Sequence, residues 1–158
     1  MEWTGKWWVF EGSEYSRLWE KSAIGGLIDG GGLALSDIEV IFSRNHRGVF
    51  FPLIPDDDAM LEWVNERLQN DPSLIQEYAI LEALRVPGNK VVLHHNFSKL
   101  GIDNCGSWGI RWASDKHPSR NKPDSEVIWF NSSELLSGKS DQSRSLDSLL
   151  QWSNEVCS

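Results

Sequence analysis

Residues Ile24–Glu39 read IGGLIDGGGLALSDIE, with five glycines between Gly25 and Gly32. Glycines this dense suggest either a cradle for phosphate or a place where the chain turns. A P-loop needs a lysine and a hydroxyl residue directly after its last glycine, because the lysine meets the phosphates. No lysine follows here. A dinucleotide fingerprint needs G-x-G-x-x-G between a strand and a helix. Gly30 and Gly32 are followed by Leu35 at the third glycine position, and the pattern before the cluster is helical. The remaining reading is a flexible turn that delivers the chain to a helix. Ser36 and Glu39, three residues apart, form a capping box at that helix's start. Ile38, Phe42 and Ile41 supply its apolar face.

Working outward, KWWVFEG (Lys6–Gly12) predicts a strand ending at a glycine. SEYSRLWEKS (Ser13–Ser22) predicts a short helix with Tyr15, Leu18 and Trp19 on one face. RGVFFPLIP (Arg47–Pro55) predicts a buried strand or extended segment. Asp56–Asp58 then open a helix, with negative charge at the end where the helix dipole favours it. DPSLIQEYAILEALRVPG carries the clearest helical pattern. Asp71 is expected as its cap and Pro72 at its first position. Leu74, Tyr78, Leu81 and Leu84 or Arg85 share a face, and Pro87-Gly88 stops it. Strands are expected in NKVVLHHNF (Asn89–Phe97), SWGIRWAS (Ser107–Ser114) and SEVIWFN (Ser125–Asn131). SRSLDSLLQWSNEV closes the chain as an amphipathic helix with Leu146, Leu149, Leu150 and Trp152 inward.

The 158 residues allow one ordinary domain or two small ones, and 40% hydrophobic residues are enough for a core. Nine tryptophans are many for this length, and some are expected to line interfaces. A formal charge of −8 argues against bulk electrostatic attraction to nucleic acid. Cys105 and Cys157, without a secretory leader, suggest reduced thiols in a cytosol. MEWTGKWWVF has no apolar core of a signal peptide. No run approaches the roughly 18 apolar residues of a membrane span. A soluble cytoplasmic protein with no membrane association is expected.

Three groups are candidates for chemistry. His94-His95, in a predicted strand, would point to opposite faces. They lack the further ligands a metal site needs, so no metal is expected. Asp56–Asp58 could bind a cation, but read more simply as a helix cap with solvated charge. RWASDKHPSRNK holds Arg111, Lys116, His117, Arg120 and Lys122, with Trp108 and Trp112 beside them. Cations meet phosphate and aromatic rings stack on unpaired bases, so these five are the candidate RNA contacts. An ordinary solvated loop explains the same residues equally well.

Two stretches resemble one family. SRLWEKSAIGGLIDGGGLALSDIEVIF resembles the N-terminal domain of archaeal tRNA-splicing endonuclease subunits, where a short helix leads through a glycine turn to a leucine-serine-x-x-glutamate helix start. Here that start is Leu35-Ser36-Asp37-Ile38-Glu39. EYAILEALRVPGNKVVLHHNFSKLGI and the following SWGIRW resemble the start of the family's C-terminal nuclease-like domain. Tyr78, Leu84, Arg85 and Gly88 match its first helix and turn; Gly109, Ile110, Arg111 and Trp112 loosely match a later strand. SEVIWF is similar to the strand after the family's catalytic histidine. The resemblance covers most of Tyr15–Phe130.

The resemblance implies an α/β (α+β) chain. A small helix-rich N-terminal domain would span residues 1–72. A nuclease-like domain, a mixed β-sheet flanked by helices, would span residues 73–158. The family removes introns from precursor tRNA at bulge–helix–bulge sites without a metal or other cofactor. A tyrosine acts as base, a histidine as acid and a lysine steadies the transition state. In this sequence the tyrosine position falls on Trp112, which has no hydroxyl. The histidine position falls on Asp124 or Pro123. The last helix has no lysine, and Lys139 lies too early. The implied chain is therefore a structural, non-catalytic subunit. It would pair with a catalytic endonuclease subunit, as a heterotetramer, on precursor tRNA. Its docking acidic loop would be Ser132–Asp141 or Asp56–Asp58. Surface near SEVIWF and the last helix would be covered by another subunit. The alternatives are an active metal-independent nuclease using His117 with Lys116 or Lys122, or a standalone RNA-binding or interaction module.

Overall fold

The computed structural model describes residues 1–103 and 106–131. The closing helix, Lys139, both cysteines and the 132–141 segment lie outside the described residues. The order is β1 (Glu2–Trp3), β2 (Trp8–Glu11), α1 (Ser13–Ser22), β3 (Gly26–Ile28), β4 (Gly32–Leu35), α2 (Asp37–Arg47), α3 (Asp57–Asn70) and α4 (Leu74–Arg85). Then come β5 (Lys90–Leu93), a 3-10 segment (His94–Leu100), β6 (Gly109–Trp112) and β7 (Ser125–Val127). The class is α+β, built on two sheets ordered β1-β2-β4-β3 and β5-β6-β7. Every pairing is antiparallel, so the mixed sheet expected of the second half is antiparallel among the described residues.

The glycine cluster is a hairpin. β3 pairs with β4, Gly31 donates to the Ile28 carbonyl at 3.3 Å, and the turn between them is Asp29-Gly30-Gly31. Gly30 and Gly31 have φ near +89° and +85°, values that side-chain-bearing residues rarely adopt. The two strands depart from the expected flexible turn; GLI and GLAL show no apolar–polar alternation, because β4 is buried at every position. The expected capped helix follows it. Ser36 accepts from the Glu39 amide, and Glu39 accepts from Ser36 N at 3.1 Å. The other Glu39 oxygen accepts from Gly25 N at 2.6 Å. One buried carboxylate thus caps α2 and ties down the start of the hairpin.

Helix α1 has the bounds its pattern predicts, and Asp56 caps α3 by accepting from Ala59 N at 2.8 Å. Three other elements differ. The expected segment Arg47–Pro55 forms no strand: Arg47 ends α2, and residues 48–55 are an irregular stretch with a turn at Pro52-Leu53 that buries Phe51 and Ile54 and leaves Phe50 and Leu53 exposed. Asp71 does not cap α4. It closes a turn by accepting from Ser73 N, and the helix starts at Leu74, with Pro72 in the turn before it. Strand β5 ends at Leu93, where the chain coils into the 3-10 segment. The two histidines therefore do not face opposite ways: their ring centroids lie 3.9 Å apart.

One apolar core cluster joins residues of both sheets, from Trp8 and Phe10 to Val92 and Trp112. Trp8, Trp19, Trp63, Trp108 and Trp112 are buried, so the tryptophan surplus mainly fills the interior. Arg85 also lies inside, 2% exposed. Its guanidinium donates to the carbonyls of Ser22, Ala23 and Val91, each at 2.8 Å. It links the end of α1 to β5. Burial pulls its pKa down to about 10.

Candidate functional site

The five candidate RNA contacts gather on β6 and on the loop from Ala113 to Asp124. Strand β6 is the centre of its sheet, between β5 and β7, so its backbone is fixed on both sides. Trp112 is 2% exposed and donates its indole N–H to the Asn121 carbonyl at 2.9 Å. It anchors the loop from inside.

Asp124 stands at the far end of the loop. Its carboxylate accepts from Ala113 N at 2.8 Å and from Lys116 Nζ at 2.6 Å. The bond from Lys116, then that from Ala113, hold its pKa below the usual carboxylate value. Near neutral pH it is an anion with no proton to give.

His117 is the largest departure from expectation. The polar composition of the loop predicts an open imidazole, but the residue is 3% exposed. Nε2 donates to the Trp19 carbonyl at 2.8 Å, since a carbonyl only accepts. Nδ1 accepts from Ser119 N at 3.1 Å and lies 2.6 Å from Ser119 Oγ. The ring meets the Trp19 indole edge-on, with centroids 5.3 Å apart. Nε2 fastens the loop to α1 and Nδ1 bonds within the loop, so as placed both ring nitrogens of His117 are engaged.

The other cations divide in two. Arg111 donates to Ser125 Oγ at 2.9 Å and to Asn89 Oδ1 at 2.8 Å, and Lys116 pairs with Asp124. Arg120 and Lys122 are exposed. The loop has its own turns, with Lys116 N donating to Ala113 O and Arg120 N and Asn121 N to His117 O. The structure thus brings the predicted residues together, but as a braced loop with its cations partly consumed by the brace. The partners Asn89, Ser119, Asn121 and Ser125 carried no signal in sequence, because short polar residues are ordinary in any loop.

Asp56 is occupied as a helix cap, and Asp57 pairs with Arg44 at 2.9 Å on the surface. No group of three or more histidine, cysteine or acidic residues is placed to hold a metal ion among the described residues. None of the helices described is long and apolar enough to cross a membrane. No family model, no curated protein and no solved structure matches the chain.

Proposed function

We propose that this chain is a structural, non-catalytic subunit of a heteromeric tRNA-splicing endonuclease, positioning a catalytic subunit on precursor tRNA. The reading starts from the sequence resemblance. One observation carries it further: the positions that should supply base and acid are spent on holding the fold. Trp112 has no ionisable group, and its N–H is bonded to Asn121. Asp124 is an ion-paired anion. His117, the one substitute nearby, is buried against α1. General acid–base cleavage needs groups that reach the substrate and exchange protons with it. A chain of that family without those groups would be suited to support a partner that has them.

Exposed apolar side chains agree with a partner. Phe130 is 45% exposed, just beyond β7, and β7 is an edge strand among the described residues. Open strand edges and apolar side chains favour association.

The test is affinity capture of the full chain from its native cells, followed by cleavage assays on precursor tRNA. A stoichiometric partner carrying the tyrosine, histidine and lysine, with cleavage only by the pair, is the expected result. Metal-independent cleavage by the chain alone would overturn the reading. So would the absence of any nuclease partner, which would leave a standalone interaction module.

A further inference from the structure

A second site lies away from the β6–β7 loop. A cavity of about 430 Å³ opens where the β1–β2 turn, the start of α2, the end of α3 and the 3-10 segment meet. Its walls include Trp3, Lys6, Arg67, Asn70, Asp71 and His95. The volume falls in the range of small-molecule sites, which favour such junctions.

The floor is aromatic and electrically balanced. The Arg67 guanidinium lies 4.2 Å from the Trp3 ring centroid and 5.4 Å from that of Trp8. Asp37 accepts from Arg67 Nε at 3.0 Å and from Trp8 Nε1 at 2.7 Å. With Arg67 and Asp37 neutralising each other, the partly exposed Trp3 indole, backed by the buried guanidinium, is the surface for stacking. The rim is polar with both signs: Lys6 supplies a cation, Asp71 and Glu77 supply carboxylates, and Asn70 an amide. Beside them, His95 Nδ1 is buried with no hydrogen-bond partner among the described residues. A buried polar atom left unpaired is costly, and a ligand that reaches it removes that cost. Burial, then His94 and Lys6, lower the His95 pKa to about 4, so the ring is neutral and able to bond to a neutral heterocycle.

The geometry points to a nucleotide site: a purine base stacked on Trp3, which Arg67 backs, with polar edges toward Asn70, Asp71 and His95 and phosphate toward Lys6. The occupant is either a free nucleoside monophosphate or the same unit at an unpaired position of RNA. A free amino acid would match both charge signs but leave the stacking floor unused. This inference does not rest on the subunit reading.

The full chain is titrated calorimetrically with guanosine and adenosine monophosphates, and with a short single-stranded oligoribonucleotide. Lys6→Ala and Asn70→Ala remove exposed side chains at the rim; Lys122→Ala, in the β6–β7 loop, is the control. Saturable binding is expected, weakened about tenfold by each rim variant and unchanged by the control. Binding of the free monophosphates identifies a free nucleotide. Binding of the oligoribonucleotide alone, with the same dependence on the rim, identifies RNA. The proposal is overturned if nothing binds. It is also overturned if only Lys122→Ala weakens binding, if inorganic phosphate competes as well as the nucleotides, or if a free amino acid binds in their place.

Discussion

The β3–β4 and β6–β7 connections both join antiparallel neighbours, yet they are held by different means. The first is a turn made of backbone conformation. Gly30 and Gly31 take positive φ, and a Cβ placed on either would meet nothing within 4 Å. The second is a long polar loop made of side-chain contacts: Trp112 to Asn121, Lys116 to Asp124, and His117 to Trp19 across 98 positions of sequence. A turn of the first kind is written in adjacent residues. A loop of the second kind exists only once distant elements have met, so its functional-looking residues acquire their roles from partners elsewhere.

The sharpest way to break this contrast is to remove the contact on which the distant elements depend. Arg85→Ala strips three carbonyls of a buried charged donor and should cost about 4 kcal/mol, measured by urea unfolding. A loss under about 1 kcal/mol would mean that the guanidinium is incidental to the junction.

Next in size is a pH effect at the same junction. His95 follows β5 and titrates at about 4 when folded, against 6.5 as its ordinary value. Between those values the unfolded chain binds the extra proton, so stability rises with pH. The contribution is complete above pH 6.5 and falls away toward pH 4, by up to about 3 kcal/mol. Unfolding curves across that window should lose this slope in His95→Gln. A slope that persists would assign the effect to the carboxylates.

His117→Ala should cost about 2 kcal/mol. Its more telling readout is local. Hydrogen exchange should accelerate in the amides of His117–Asp124, while those of the Gly26–Leu35 hairpin keep their protection. Equal acceleration in both would erase the distinction between the two connections.

The smallest effect belongs to the turn. Gly31→Ala places a side chain at positive φ in open space and should cost about 1 kcal/mol. Gly25→Ala is the foil. There a Cβ would lie 2.6 Å from the Ala34 carbonyl oxygen, so the loss should be clearly larger. Equal losses would show that conformation alone governs both glycines.

These contrasts also mark how far the fold was legible. α1 and the capping box of α2 could be read directly, because a cap bonds residues three apart and an apolar face repeats within a few turns. The hairpin could not, because a strand buried on both faces shows no alternation. His94 and His95 fall outside the expected strand because the end of β5 depends on its pairing with β6, not on its own residues. The cavity floor was invisible, since Trp3, Asp37 and Arg67 are far apart in sequence and ordinary where they stand.

For the β6–β7 loop, sequence established the supply of groups: no tyrosine at position 112, an acid at 124, and cations between them. It did not establish which of them face outward. That was decided by α1 packing beside the loop, which let a carbonyl on Trp19 claim the His117 imidazole, and by Asp124 folding back onto Lys116. The physical reason is range. Backbone propensities and caps act within a few residues and leave a local pattern. Burial and polar pairing act through space, between residues whose separation along the chain no local pattern records.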